Sequence, residues 1–126
     1  MRAVDTNVVV RLIARDNPKQ VAAAEAFVAS GAWVSTLALA EAVWVLSSAY
    51  ELDARRIASA IEMLLEHKHL VLQDPEVVAA ALGRFRARPV LGFSDCLLVE
   101  LARKSGHVPL GTFDKGLGKL DGVVRL

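Results

Sequence analysis

The sequence predicts an α/β fold with a parallel sheet. Helical patterns alternate along the chain with short apolar runs, as they do in βαβ units. The 126 residues suit one domain with a substantial core. Apolar residues make up 54% of the chain, slightly above ordinary usage, which indicates extensive burial or an additional interface. Because there is no internal repeat or linker, we expect residues 1–126 to form a single domain.

Five short apolar runs are predicted to be strands. They cover residues 2–5, 33–34, 70–72, 108–113 and 123–124. The first of these strands passes directly into a helix over 7–14, which Thr6 or Asn7 is expected to cap. Asp5 would then face a crevice at the carboxyl end of the strand.

The remaining helices are predicted from their caps and apolar periodicity. They cover 18–30, from Ser35 or Thr36 to about Tyr50, from Asp53 onward, from Asp74-Pro75 onward, and from Ser94 to Gly106. Gly31 and Gly106 are suited to ending helices, and Pro18 to beginning one. The helix after Ser35 is apolar nearly all round, so we expect it to be buried on several sides.

Charge and cysteine content limit the possible classes of protein. With 15 basic and 14 acidic residues the net charge is +1, which excludes a strongly basic nucleic-acid wrapper but not a nuclease with a local basic rim. Cys96 is the only cysteine, so no internal disulfide can form and a reducing compartment is expected. No signal-peptide pattern is present, and no apolar run approaches the roughly 20 residues that span a membrane. We therefore expect a cytoplasmic protein without a membrane segment.

Four carboxylates stand out from the other acids. Asp5 and Asp114 end apolar strands, Asp95 begins an apolar helix, and Glu41 is the one charge in its helix. Taken singly, they could be turn or helix-start acids, or in Glu41's case a core glutamate paired with Arg11. Because the carboxyl ends of parallel strands lie at one edge of a sheet, we expect all four to converge there. Glu100 is instead expected to make ordinary helix pairs with nearby basic residues.

Such a cluster requires a counter-charge. Two carboxylates about 4 Å apart repel each other by roughly 4 kcal/mol at an effective dielectric constant of about 20. The group must therefore bind protons or a cation, and oxygen ligands without His or Cys favour Mg²⁺ or Mn²⁺. A site of this kind can hydrolyse a phosphodiester with water activated by the metal; whether it holds one ion or two stays open.

Four segments together resemble the PIN-domain ribonucleases, and among them the VapC-type toxins of bacterial toxin–antitoxin pairs. The segments are Asp5-Thr6-Asn7-Val-Val-Val-Arg11, Leu-Ala-Leu-Ala-Glu41-Ala-Val-Trp with a buried glutamate, Phe93-Ser94-Asp95-Cys96-Leu-Leu and Thr112-Phe113-Asp114-Lys115. The resemblance covers essentially the whole chain. It implies a three-layer α/β/α fold with a five-stranded parallel sheet flanked by helices, metal-dependent endonucleolytic cleavage of RNA, a homodimer, and inhibition by a cognate antitoxin.

The resemblance also implies roles for individual residues. Asp5, Glu41, Asp95 and Asp114 are the catalytic, metal-binding acids, with Asp5 and Asp95 the more direct ligands. The Thr112 hydroxyl and the polar side chains of Thr6 and Asn7 support the site.

Basic and aromatic residues give weaker signals. Arg11, Arg15 and Lys115 could contact RNA phosphates, although solvated surface cations are an equally good interpretation. Trp44 and Leu46 could contribute to an antitoxin groove or a dimer contact.

Two other functions compete with the ribonuclease. One is a non-catalytic PIN-like protein that acts through a partner complex, although binding alone would not require a repulsive cluster of acids. The other is phosphoryl transfer through an aspartyl-phosphate at Asp5, which is less favoured because the second acid of such phosphatases is replaced here by Asn7.

Overall fold

A computed structural model describes all 126 residues of the chain. The chain divides into two compact units, Met1–Pro75 and Glu76–Leu126, called here the N-terminal unit and the C-terminal unit. None of the helices is both long enough and apolar enough to cross a membrane.

The N-terminal unit contains a parallel sheet of three strands in the order β1-β2-β3. Its strands are β1 (Arg2–Val4), β2 (Ala32–Val34) and β3 (Leu70–Leu72), and its helices are α1 (Thr6–Ala14), α2 (Pro18–Val28), α3 (Thr36–Ser48) and α4 (Ala54–Glu66). Val4 is paired with Val34, and Val34 with Leu72. The three strands therefore end in register, and the residues that follow them lie at one edge of the sheet.

Apolar faces and side-chain caps explain the helices of this unit. In α4, Ile57, Ile61 and Leu64 are buried on one stripe, and Asp53 caps the helix by accepting the Arg56 N–H at 2.9 Å. Helix α1 packs against α2 and α3, and α4 packs against β3.

The C-terminal unit contains two helices and a two-stranded parallel sheet. The elements are α5 (Pro75–Ala87, beginning at the unit boundary), a 3₁₀ turn (Pro89–Leu91), α6 (Phe93–Lys104), β4 (Leu110–Thr112), a second 3₁₀ turn (Leu117–Lys119) and β5 (Val123–Arg125). Strands β4 and β5 pair with Leu110 opposite Val123. The rings of Phe85 and Phe93 meet edge to face with centroids 6.2 Å apart, which connects α5 to α6.

The predicted fold class is confirmed, because helices alternate with parallel strands as a three-layer α/β/α fold requires. The single five-stranded sheet is wrong: the main sheet has three strands, and β4 and β5 form a separate pair. Apolar runs show where a chain extends, but a strand of three residues carries little information about which neighbour it pairs with.

Two details of the helices also differ from the sequence-based expectation. Helix α6 begins at Phe93, directly after Gly92, whose positive φ of 79° is one that glycine adopts without strain. Ser94 therefore lies inside the helix and is not its cap. Helix α3 is not buried on several sides, since Leu37 is 68% exposed and Trp44 is 69% exposed. Leu46 lies on the opposite, buried side of α3 and is therefore not available for a surface contact.

Glu100 is the one buried charged residue of the chain. Its carboxylate forms an ion pair with Arg84 of α5, and its Oε2 lies 3.7 Å from Nε of Arg103, one turn further along α6. The structural interpretation of Glu100 is therefore correct, with Arg84 as a partner that the sequence did not indicate. Lys104, four residues after Glu100, forms an ion pair with Glu76.

Replacing Glu100 by Ala is expected to lower the free energy of unfolding by about 2–4 kcal/mol, because two partly buried guanidinium groups would lose their carboxylate. The exposed Glu66 supplies the control, and Glu66→Ala should change stability by less than about 0.5 kcal/mol. Urea denaturation of both variants measures the difference. Equal stabilities would contradict the role given to the Glu100 ion pairs.

Candidate active site

Asp5 lies at the carboxyl end of β1 and is itself the N-cap of α1. Its Oδ1 accepts the Val8 N–H at 3.2 Å, and its backbone is extended. The prediction that Thr6 or Asn7 caps the helix is wrong, because the strand ends at Val4 and Thr6 is already helical. Asp5 is exposed, and its Oδ2 accepts no hydrogen bond from the protein.

Glu41 lies close to this strand end. The Thr6 hydroxyl donates to Oε2 of Glu41 at 3.4 Å, and Thr6 is the residue that follows Asp5. Glu41 is exposed, not buried as expected, because it shares the solvent-facing side of α3 with Leu37 and Trp44, four residues before and three after it. The N-terminal unit thus brings two of the candidate acids to one place.

Gln73 also lies at this edge of the sheet and was missed by the sequence analysis. Its Oε1 accepts the Thr36 N–H at 3.0 Å and the Thr36 hydroxyl at 3.3 Å, while Ser35 caps α3 by accepting the Ala38 N–H at 3.0 Å. These contacts fix the start of the helix that carries Glu41. The signal was available, since Gln73 follows β3 as Asp5 follows β1.

Asp95 and Asp114 form a second pair in the C-terminal unit. Asp95 lies in the first turn of α6 and is half-buried. Burial raises the pKa of Asp95, and the negative charge of Asp114 raises it further. No basic side chain forms an ion pair with either carboxylate. The pair therefore carries a repulsion that the protein leaves without compensation.

The turn after β4 holds Asp114 in position. Oδ2 of Asp114 accepts the Leu117 N–H at 2.6 Å, and the Asp114 N–H donates to the Thr112 hydroxyl at 3.0 Å. Thr112 thus orients the loop that carries this acid.

The four candidate acids are found as two pairs, one in each unit. No group of three or more His, Cys, Asp or Glu side chains is arranged so that it could hold a metal ion. The chemistry of the donors nevertheless fits a hard dication, because each pair offers carboxylate oxygens without a basic partner.

The basic residues expected to contact RNA are mostly paired within the protein. Arg11 Nη1 donates to the Tyr50 hydroxyl at 2.8 Å and lies 3.5 Å from Asp16, and Arg15 pairs with Glu25 at 2.6 Å. Lys115 is exposed and forms no ion pair. Asn7 is likewise exposed, and its side chain makes no hydrogen bond within the protein.

The carboxyl ends of strands are where open α/β sheets bind their ligands, and carboxylate oxygens are suited to hold the divalent cations that assist phosphodiester hydrolysis. The family model of the PIN domain matches residues 2–123 and runs through both units, so the chain belongs to the PIN domain family. PIN domains are generally nucleases that depend on divalent metal. Comparison with curated proteins and with solved structures gives no match.

The raised pKa of Asp95 leads to a prediction for the metal-free protein. The folded chain binds the proton of the Asp95 carboxyl more tightly than the unfolded chain does. At pH values between the ordinary carboxyl pKa and the raised pKa of Asp95, the free energy of unfolding therefore falls as the pH rises. Asp95→Asn removes the charge and should be more stable than the wild type at neutral pH in EDTA. The difference should disappear below about pH 4.

Urea denaturation of the wild type and Asp95→Asn at the two pH values measures this effect. A variant that is no more stable than the wild type at neutral pH would contradict an unfavourable Asp95–Asp114 interaction.

Proposed function

We propose that this protein is a metal-dependent endoribonuclease of the VapC type, the toxin of a toxin–antitoxin pair, with Asp5, Glu41, Asp95 and Asp114 as its catalytic acids. The observation that carries the proposal is Asp95, a half-buried carboxylate in the first turn of α6 that has no basic partner and whose pKa is raised by burial and by the charge of Asp114. Membership of a family of nucleases supports it. A protein without catalytic use for these acids would be more stable with neutral residues in their place.

Each acid has oxygen atoms left for a cation after its structural contacts are made. Asp5 retains Oδ2, Glu41 retains Oε1, Asp114 retains Oδ1, and Asp95 retains both oxygens. One or two bound Mg²⁺ or Mn²⁺ ions would lower the pKa of the attacking water and stabilise the leaving oxygen. In this proposal the backbone N–H group of Val8 orients the carboxylate of Asp5, and that of Leu117 orients the carboxylate of Asp114. The hydroxyl of Thr6 orients Glu41.

Further parts of the proposal rest on the resemblance to VapC-type toxins. We infer that residues 1–126 act as one PIN domain, that two copies associate, that a cognate antitoxin inhibits the enzyme, and that it cuts RNA in the cytoplasm. Leu37 and Trp44 support a protein contact, because they are large, apolar and exposed on the same side of α3. Lys115 supports an RNA contact, since it follows Asp114 and has no partner.

Asp5→Asn is expected to lower the rate of RNA cleavage by about 100-fold or more while preserving the fold. Asn caps helices as well as Asp does, so α1 should keep its contact with the Val8 N–H although the carboxylate is lost. Cleavage of single-stranded RNA in Mn²⁺, with EDTA as the blank, measures the rate.

Asp53→Asn is the matched control, because Asp53 caps α4 through the same kind of contact. It should cleave RNA at the wild-type rate. A folded Asp5→Asn protein that is as active as the control would contradict the proposed role of Asp5.

Mg²⁺ is expected to raise the melting temperature of the wild type, because a ligand that binds the folded state stabilises it, by about 2.7 kcal/mol at a concentration 100 times its Kd. The rise should be much smaller in Asp5→Asn and Asp95→Asn and unchanged in Asp53→Asn. Thermal unfolding with and without Mg²⁺ measures it, and an equal rise in all four proteins would argue against metal binding by these acids.

A further inference from the structure

A cavity of the N-terminal unit has a volume of ≈ 550 Å³ and is lined by residues of β1, α1 and α2. Asp5 lies at its β1 end. We propose that this cavity binds one unpaired nucleobase of the RNA substrate, next to the bond that is cleaved. The inference rests on the proposed endoribonuclease function and extends it, because it assigns a subsite for single-stranded RNA.

The walls of the cavity suit a flat, largely apolar group. Val8 contributes from α1, and Ala23, Ala24 and Phe27 contribute from α2. The Phe27 ring is fixed from one side by Arg2, whose guanidinium carbon lies 3.8 Å from the ring centroid and whose Nη2 donates to the Phe27 carbonyl at 3.0 Å. A cavity of this size accommodates a small organic ligand, and its apolar walls match the face of a base.

Three polar side chains in the same cavity have N–H groups without protein acceptors. Arg11 uses Nε and Nη1 for Gln20, Tyr50 and Asp16, which leaves Nη2 free. Gln20 uses Oε1 for Arg11, which leaves its NH₂ group free, and the amide of Asn7 makes no hydrogen bond. These donors match the carbonyl oxygens and ring nitrogens along the edge of a base.

The donors are also held in place before any ligand arrives. The Tyr50 hydroxyl donates to Asp16 at 2.7 Å and accepts from Arg11 at 2.8 Å, so the guanidinium is tied to both the turn before α2 and the end of α3. This hydrogen bond from Tyr50 is the main reason that the pKa of Asp16 is lowered, which keeps the acid charged opposite Arg11. Preorganised donors lower the entropic cost of binding.

The position of the cavity connects it to the proposed chemistry. Asp5 lines the cavity and is the candidate acid with a free Oδ2. A base seated between α1 and α2 would therefore adjoin the phosphate that is attacked. A base held between α1 and α2 has to be unpaired, so this subsite would take a nucleotide from a single-stranded part of the RNA.

Ala23→Phe tests the proposal, because it fills the cavity from α2 without removing any of the three donors. Ala22→Phe is the matched control, since Ala22 is an exposed neighbour on the same helix that does not line the cavity. The affinity for a short, mixed-sequence, single-stranded oligoribonucleotide is measured in EDTA, where cleavage does not interfere. We expect Ala23→Phe to bind about tenfold more weakly, and Ala22→Phe to bind as the wild type does.

Gln20→Glu provides a second test that does not depend on a larger side chain. Glutamate retains an oxygen for Arg11 Nε but replaces the free NH₂ donor by an acceptor. It should change which nucleotide is preferred beside the cleavage position, which sequencing of the RNA ends produced in Mn²⁺ reveals. Wild-type affinity in Ala23→Phe, or an unchanged preference in Gln20→Glu, would overturn the proposal.

The readouts distinguish this inference from the proposed function. If RNA binding is weakened by Ala23→Phe but the wild type cuts no RNA in Mn²⁺, the subsite is supported and the nuclease function fails. If Ala23→Phe binds and cuts RNA normally but is no longer neutralised by a co-expressed cognate antitoxin, the cavity belongs to a protein partner and the proposal is wrong.

Discussion

Negative charge without a counter-charge is the constraint that separates the candidate catalytic acids from the structural ones. Helix α6 contains both kinds: Glu100 is buried but paired with Arg84 and Arg103, whereas Asp95 is half-buried and meets the charge of Asp114. In the same helix, the charge of Glu100 is thus neutralised by arginines, whereas the charge of Asp95 has a negative neighbour and no positive one. Uncompensated charge lowers stability, and the cation of the proposed function would offset it.

Local signals in the sequence were sufficient for the elements but not for their pairing. The cap Asp53 and the stops Gly31 and Gly106 were predicted correctly, and Ser35 was one of the two predicted caps of α3, because each depends on a few neighbouring residues. The single five-stranded sheet was wrong, since pairing of three-residue strands is decided by contacts between distant segments. For α1, the consecutive polar residues Asp5, Thr6 and Asn7 are each able to cap a helix. Asp5 is the cap because β1 ends at Val4 and the helix begins at Thr6.

The four acids of the candidate site stay a prediction, and the surroundings of some of its residues differ from what the sequence indicated. The acids were found from their positions beside apolar runs, but Glu41 was expected to be buried and is exposed, because the apolar composition of α3 does not tell which side faces solvent. For Arg11 the sequence indicates an RNA phosphate contact and a solvated surface cation equally, and neither interpretation includes Tyr50 and Asp16, which hold its guanidinium. Such partners leave no local pattern, and for the same reason Gln20 and Gln73 were not noticed.

The acids at the strand ends also contribute to the local fold, which bears on how a metal site of this kind can be preorganised. Asp5 gives one oxygen to the first turn of α1, and Asp114 gives one to the turn after β4. Each contact fixes the carboxylate plane through a backbone N–H group, so that the other oxygen is presented in a defined direction at little additional entropic cost. A carboxylate that caps a helix or turn is held in place and cannot rotate away from a neighbouring negative charge, so a bound proton or a cation is then the remaining way to offset that charge.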